Sequence, residues 1–201
     1  MARRSDHSRE DLERLSIDTA RKIIIEDGQK ALTARKLAEE IGYTPGTLYN
    51  VFGSMDGVVF KVNYETLEAL ETELLQSVQS NMNEPIEIKI KEMAKAYIDF
   101  SYKNKNLWLL IFDYTSPQGQ RAPQWFKDKI ENLFSGLENI LEGNSVFKSD
   151  KEKKMAARTL WSSVHGICYM AQTDKIGLIS GESPYKLAEF MIENFLNGLK
   201  T

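Results

Sequence analysis

Two short helical segments on either side of Gly42 carry the residues with the most distinctive chemistry. The second segment opens with Thr44 and Pro45, a pairing typical of a helix N-terminus, because a threonine hydroxyl can cap a free backbone N–H and proline has its φ preset. With its apolar residues turned to a core, this segment would leave an outer face of small, uncharged, hydrogen-bonding residues: Pro45, Gly46, Thr47, Tyr49 and Asn50. Such a face can enter the major groove of DNA, where Thr and Asn side chains reach base edges and the helix N-terminus favours phosphate.

A second combination with chemical potential is His165 and Cys168, which lie three positions apart on one predicted helix face. The pair could in principle form a nucleophilic dyad or contribute two metal ligands. The chain has only 2 histidines and 1 cysteine, however, and no third ligand or orienting acid is evident near the pair. Packing or pocket lining is the favoured interpretation, so we expect no catalytic residue, no metal site and no cofactor.

The balance of charge gives no general affinity for nucleic acid. The net charge is −3, and residues 1–61 contain 10 Lys and Arg against 10 Asp and Glu. Attraction to phosphate must therefore come from the local placement of cations. Five early cations lie in the N-terminal arm or beside the two short segments: Arg3, Arg4, Arg9, Arg35 and Lys36.

Composition favours a soluble protein of a reducing compartment. The 201 residues are 42% apolar and 27% charged, as in ordinary folded domains. The longest apolar run, Leu107–Phe112, is far shorter than the roughly 18 residues that a membrane-spanning helix needs, and no apolar stretch follows the first residues as it would in a secretory signal. A single cysteine cannot form an intrachain disulfide, so we expect a cytoplasmic protein.

Helical periodicity dominates the sequence and predicts an all-α fold. A first helix from Arg9 to Asp27 carries an apolar stripe and stops at Gly28, since a glycine after the last turn commonly ends a helix. Thr33 predicts the cap of a short helix that Gly42 ends. A long helix is expected from about Met55 to Met82, where it would link two domains.

The remaining pattern predicts helices after Pro85, at residues 107–114 and 125–141, and near 149–178 and 183–199. About nine helices are expected in all. The last two carry apolar residues on more than one side, which fits either a subunit interface or the interior of a single bundle.

The residues from about Leu12 to Val62 resemble the tetracycline-repressor (TetR) family of bacterial transcriptional regulators. The shared pattern is a helix ending in Gly, then Leu-Thr, a short Leu-Ala helix, Gly-Tyr, a Thr-Pro-Gly-Thr-Leu-Tyr core and an aromatic residue three positions later. The other two thirds resemble the family in layout only. Within them Trp161, His165 and Gly166 look like a Trp-His-Gly signature of one effector-domain subgroup.

The resemblance implies a helix-turn-helix DNA-binding domain over residues 1–53 and an effector-binding and dimerisation domain over residues 54–201. It implies that Thr33 and Tyr49 donate hydrogen bonds to DNA phosphates and that Arg35 contacts a phosphate or a guanine edge. Six residues would line the groove: Tyr43, Thr44, Pro45, Gly46, Thr47 and Asn50. Of these, Thr47 and Asn50 would read the bases.

Two positions depart from the family pattern. A lysine is usual three residues after the aromatic position of Phe52, where this chain has Met55, and Val51 stands where a polar residue such as His is common. The domain would then either bind DNA weakly or rely on Arg3 and Arg4 of the N-terminal arm.

The second domain is rich in large aromatic residues, most of which we expect in the core. Clustered charges are few there, so an apolar or aromatic effector is favoured. The candidate effector-binding residues are Trp108, Phe112, Trp125, Phe126, Trp161, His165 and Tyr169. Nearby polar candidates are Asn104, Asp113, Gln172 and Asp174.

The leading hypothesis is a homodimeric repressor that a small effector releases from a pseudo-palindromic operator. Its partners would be double-stranded DNA, a second copy of the chain and the effector, with no membrane. Effector binding would shift the long helix so that the two recognition helices lose the spacing of successive major grooves. The alternatives are an architectural or nucleoid-associated DNA-binding protein without an effector and, more remotely, a helical-bundle enzyme that uses His165 and Cys168.

Overall fold

The computed structural model describes residues 8–117, 119–142, 147 and 149–199. Over these ranges the chain forms nine α-helices and no strand, which confirms the predicted all-α class. The helices are α1 Arg9–Asp27, α2 Ala34–Glu40, α3 Pro45–Phe52, α4 Met55–Gln79, α5 Ile86–Lys103, α6 Lys105–Asp113, α7 Gln124–Leu141, α8 Asp150–Gln172 and α9 Pro184–Gly198. Two 3₁₀ turns, Gln29–Ala31 and Ile176–Leu178, complete the described elements.

Local capping signals account for several helix ends. The Ser8 side chain accepts from the backbone N–H of Asp11, whose carboxylate accepts from Ser8 in return, so both groups cap α1. Thr33 caps α2 as predicted, and Ser183 caps α9 ahead of Pro184. Each cap satisfies a backbone donor that the first helical turn leaves without an intrahelical partner.

The eighth helix is shorter than the sequence predicted. Apolar residues continue to about residue 178, but α8 ends at Gln172. Asp174 adopts a left-handed φ of 56°, and the N–H of Lys175 donates to the carbonyl of Met170 at 2.8 Å. This closure ends the helix, and the remaining apolar residues continue as a separate 3₁₀ turn.

The chain divides into two compact units. The first unit joins the described residues up to Leu67 with Asn104–Phe126, and the second joins Glu68–Lys103 with the described residues from Lys127 onward. The domain boundary at residue 53 stays a prediction. No helix within the described ranges is both long enough and apolar enough to cross a membrane.

The core of the first unit supports the two short helices. Ile24 of α1, Leu37 of α2 and Leu48 of α3 are fully enclosed in one apolar cluster. Leu48 is the one residue of α3 that is buried to this degree, and truncating such a residue to alanine typically costs about 2–5 kcal/mol. Because its apolar side is held against α1 and α2, α3 turns its other side outward.

The second unit packs α5, α8 and α9 against one another. Ile98, Leu160 and Ile192, one from each helix, are almost completely buried. Leu141 at the end of α7 is also enclosed. The second unit therefore has buried apolar residues of its own.

Candidate nucleic-acid interface and effector cavity

Gly42 makes the tight turn between α2 and α3 possible. Its φ of 73° lies in the left-handed region, which a residue with a Cβ adopts only at a cost. The turn is closed by the N–H of Tyr43, which donates to the carbonyl of Ala38 at 2.8 Å. Pro45 then occupies the first helical position of α3, so the geometry is the helix-turn-helix that the sequence predicted.

The outward face of α3 carries the predicted DNA-contacting residues. Thr44, Pro45, Gly46, Tyr49 and Asn50 are exposed, and Tyr49 in particular has 47% of its surface accessible. Two further predicted residues, Tyr43 and Thr47, are half-buried. We call these seven residues the recognition face: Tyr43, Thr44, Pro45, Gly46, Thr47, Tyr49 and Asn50. The structure thus brings them together on one surface.

Hydroxyl groups at the two helix N-termini have defined partners. The Oγ1 of Thr33 accepts from the N–H of Lys36 at 3.1 Å, which leaves its own O–H able to donate outward. Thr44 does not cap α3 with its side chain; its Oγ1 lies 3.1 Å from the Oγ1 of Thr47 instead. That pair offers both donor and acceptor capacity at the start of the recognition face.

The two cations of α2 have different environments. Lys36 Nζ lies 2.6 Å from Asp27 Oδ2, and this hydrogen bond raises the pKa of Lys36. Arg35 is exposed and forms no ion pair within the part of the chain that the structure describes. Arg35 is therefore the α2 cation whose charge is available to a phosphate.

Arg9 uses part of its donor capacity inside the protein. Its Nη2 donates to the carbonyl of Val51 at 3.3 Å, near the C-terminus of α3, where a cation is favourable. Arg3 and Arg4, the arm residues expected to contact DNA, lie outside the described residues.

Four of the predicted effector-binding residues lie in the first unit. Trp108 is fully buried and contacts Phe112 with ring centroids 5.2 Å apart. Phe126 is buried against Phe60 at 5.4 Å, whereas Trp125 is exposed and has Lys61 Nζ 5.5 Å from its ring centroid. The rings of Trp125 and Phe126 also meet edge-on at a centroid distance of 6.0 Å, so the four residues form two aromatic pairs.

The other three predicted effector-binding residues lie on α8 in the second unit. The ring of His165 stacks on Trp161 at a centroid distance of 5.0 Å and an angle of 16°, and it lies 6.2 Å from the ring of Tyr169. His165 Nδ1 is 2.9 Å from the hydroxyl of Tyr97. These residues therefore form one aromatic cluster with a polar centre.

A cavity of about 50 Å³ lies beside this cluster, within the second unit. Of the predicted residues only Trp161 lines it; the other lining residues are Leu74, Ile90, Met93, Ala94, Tyr97, Leu137, Leu160, Val164 and Ile192. Sequence reasoning missed Tyr97 as a cavity residue. Its spacing from Ile90 and Ala94 on α5 was the available signal, since residues three and four positions apart share a helix face.

The polar candidates of the second unit have internal roles or face solvent. Gln172 is buried and its Nε2 donates to Ser101 Oγ at 3.1 Å, while Asp174 is exposed. In the first unit Asp113 is exposed and Asn104 is half-buried. None of the four lines the cavity.

Cys168 lies in an environment that suppresses thiol chemistry. It is fully buried, and burial raises the pKa of its thiol to about 12. The thiolate, which is the nucleophile and the metal ligand, is therefore scarce near neutral pH. Within the described ranges no group of three or more His, Cys, Asp or Glu side chains is placed to hold a metal ion.

Comparison with known proteins agrees with this architecture. Residues 17–62 match a family model described as bacterial regulatory proteins, tetR family, and residues 90–195 match one described as tetracyclin repressor-like, C-terminal domain. A curated relative, the HTH-type transcriptional regulator PksA of Bacillus subtilis, is 23% identical over 174 residues, which cover 77% of this chain and 76% of the relative.

Solved structures share the fold at low sequence identity. A protein of unknown function from Rhodococcus sp. RHA1 superposes with a TM-score of 0.77 at 16% identity, with 100% of both chains covered. The multidrug binding protein EbrR, in complex with imidazole, superposes with a TM-score of 0.66 at 15% identity, covering 94% of this chain and 96% of EbrR. Because the C-terminal family model matches residues 90–195, more than half of the chain, the chain belongs to the TetR family of DNA-binding transcriptional regulators, which are not enzymes.

Proposed function

We propose that the protein is a homodimeric repressor that binds a pseudo-palindromic operator through α3 and is released by a small apolar or aromatic effector. The observation that carries the proposal is the recognition face, whose exposed polar residues stand opposite the buried anchor Leu48. An exposed helix N-terminus with short hydrogen-bonding side chains suits the major groove. Acting on bacterial DNA, the repressor would work in the cytoplasm.

Each residue of this interface has a proposed role that its position supports. Thr47 and Asn50 would read base edges, while Tyr49 and Thr33 would donate to phosphates. Arg35 would supply a phosphate or guanine contact, because its charge is not committed to a carboxylate. Arg3 and Arg4 would add contacts from the N-terminal arm.

A homodimer is supported by exposed apolar residues in the last part of the chain. Leu178 is 83% exposed, Phe190 of α9 69% and Met155 of α8 61%. Pairing with a second copy would remove such large apolar side chains from water. Two-fold pairing would place two copies of α3 on successive major grooves and make the operator pseudo-palindromic.

The effector proposal is supported by the cavity in the second unit. Its lining is almost entirely apolar, with Tyr97 and Trp161 as aromatic members and His165 hydrogen-bonded to Tyr97. The Trp-His-Gly resemblance of residues 161, 165 and 166 fits this placement. A structural relative bears the name multidrug binding protein, which is in keeping with an apolar or aromatic ligand.

The size of the cavity implies that the effector changes the protein. Its volume is about 50 Å³, whereas a buried cavity that admits benzene has a volume of roughly 150 Å³. An aromatic effector would therefore bind an expanded conformation and shift the population toward it. We assign effector binding and dimerisation to residues 54–201 and DNA binding to residues 1–53.

Selection of bound duplexes from random DNA is the first test of this function. The full chain should enrich an inverted repeat, with half-sites one helical turn apart from centre to centre. Recovery of no preferred sequence, or of a sequence without two-fold symmetry, would contradict the proposal.

The two cations of α2 provide a matched second test. In Arg35→Ala the slope of the logarithm of the operator-binding constant against the logarithm of the salt concentration should become shallower by about one phosphate contact. Lys36→Ala removes the same charge from the neighbouring position, but Lys36 is paired with Asp27, so its loss should change the slope less. Equal slopes in both variants would argue against the assigned role of Arg35.

A further inference from the structure

The start of α4 directly follows the proposed recognition helix and is held by an unusual polar network. Asp56, in the first turn of α4, is only 3% exposed. One carboxylate oxygen accepts from the hydroxyl of Tyr114, and the other accepts from Ser116 Oγ at 2.8 Å. Both donors come from the chain that leaves α6, within the same compact unit.

A second hydrogen bond from the same chain segment supports the first. Ser54 Oγ accepts from the N–H of Gly57 at 3.1 Å, which caps α4, and donates to Gln120 Oε1 at 2.8 Å. The N–H of Gln120 in turn donates to Ser116 Oγ at 2.8 Å. The N-terminus of α4 is therefore tied at both Ser54 and Asp56 to residues beyond α6.

Apolar packing involves the same junction. Tyr114 packs edge-on against Phe60 at a centroid distance of 6.4 Å and lies against the apolar core. Burial and the hydrogen bond to Asp56 raise the pKa of Tyr114, so its hydroxyl keeps the proton that it donates. Gly57 lies so close to the carbonyl of Phe52 that a Cβ would overlap it. A movement at the start of α4 must therefore reach the last turn of α3.

We propose that Tyr114 and Ser116 are positioning residues for DNA binding, which hold the α3–α4 junction through the buried carboxylate of Asp56. We call Tyr114, Ser116 and Gln120 the brace. This inference rests on the proposed role of α3 in reading DNA. Through the brace, the chain that follows α6 would help to orient the recognition face. A conformational change that withdrew the brace would leave a buried carboxylate without its donors and would loosen the junction.

The proposal is tested with the full chain by hydrogen exchange and by operator binding. In Tyr114→Phe/Ser116→Ala the backbone amides of α3 and of the first two turns of α4 should exchange about 10-fold faster, since an unsatisfied buried acceptor weakens the structure around it. Affinity for the duplex selected by the wild-type chain should fall by about 5-fold or more, because fewer molecules hold α3 in place.

Two controls separate positioning from a general loss of stability. Tyr185→Phe removes an exposed Tyr–Asp hydrogen bond, the one of 2.6 Å to Asp99 in the second unit, and Leu141→Ala truncates a fully buried side chain there that does not line the cavity. Both controls should keep wild-type exchange in α3 and wild-type affinity, even where the melting temperature falls. The single variant Ser116→Ala should show an intermediate effect if the double variant folds poorly.

Wild-type exchange at the junction in both Ser116→Ala and the double variant would overturn the brace. So would a loss of affinity in Leu141→Ala as large as in the double variant at equal stability. Failure of the wild-type chain to select any duplex would instead count against the proposed function, and the exchange measurement would still decide the role of the brace.

Discussion

The backbone oxygen of Phe52, the last residue of α3, occupies the space into which a side chain on Gly57 would project. Gly57 lies in the first turn of α4, so the absence of a Cβ lets the two helices meet closely. Gly46 on the recognition face is different, because a Cβ there would lie 3.7 Å from Thr44 Oγ1, an ordinary contact.

These two glycines predict opposite results for the same substitution. Gly57→Ala should lower the free energy of unfolding by about 1–3 kcal/mol through overpacking. Gly46→Ala should leave it unchanged or raise it by less than about 1 kcal/mol, since alanine favours helix. If DNA approaches the backbone at Gly46, Gly46→Ala should bind the operator about tenfold more weakly than the wild type, a loss of about 1.4 kcal/mol in binding free energy. Urea denaturation and fluorescence anisotropy measure the two quantities; operator binding by Gly46→Ala at wild-type strength would contradict close approach.

The recognition face also predicts a separation between affinity and specificity. Tyr49→Phe should weaken binding to all duplexes by a similar factor, because the phosphate contact proposed for its hydroxyl carries no sequence information. Thr47→Ala should weaken binding to the operator by about 1–3 kcal/mol and relax the preference at one position of each half-site. Competition anisotropy with singly substituted operators distinguishes the two patterns. Neither change should alter the melting temperature by much, since Tyr49 is exposed and Thr47 is half-buried.

The cavity predicts the outcome of a filling substitution. Ala94 lines the cavity and is 8% exposed, so Ala94→Val should occupy part of its volume of about 50 Å³. The variant should be as stable as the wild type or more stable, by up to about 1 kcal/mol. It should bind the operator normally but resist release by an effector found in a thermal-shift screen. Ala188→Val is the matched control, because Ala188 is buried on α9 but does not line this cavity. Release of both variants by the same effector concentration would place the ligand elsewhere.

The buried thiol predicts a specific dependence on pH. Burial raises the pKa of Cys168 to about 12 in the folded chain, while the pKa of a cysteine in an unfolded chain is about 8.5. Because the pKa of the thiol is higher in the folded chain than in the unfolded chain, the folded chain holds this proton more tightly. The resulting contribution to the free energy of unfolding is complete below the unfolded pKa and is lost as the pH rises toward the folded pKa. The free energy of unfolding of the wild type should therefore fall more steeply above about pH 8.5 than that of Cys168→Ala.

Thiol labelling gives an independent check on Cys168. An aromatic disulfide reagent at about pH 8 should label the chain in denaturant and leave the native chain unmodified, because the thiolate is the reactive form. Rapid native labelling would contradict the buried, protonated state and reopen the question of a reactive cysteine.

The local signals of the sequence determined the helices and the outward face of α3. Caps such as Thr33, the glycine turn at Gly42 and the position of Pro45 act over a few residues, and the structure has each where the sequence predicted it. The alternation of buried Leu48 with exposed Tyr49 and Asn50 likewise follows from helical period alone. These features could be predicted because neighbours along the chain are their physical cause.

Only the tertiary structure decided which partner each polar or aromatic side chain meets. Asp56 and Tyr114 are 58 positions apart. No local spacing indicates that the hydroxyl of Tyr114 donates to the carboxylate of Asp56. The difference between Arg35 and Lys36 depends on where the end of α1 places Asp27, and the seven candidate aromatic and histidine residues divide between two compact units. Such pairings arise when distant helices pack, because a contact between them depends on the relative positions of whole elements rather than on the residues beside it.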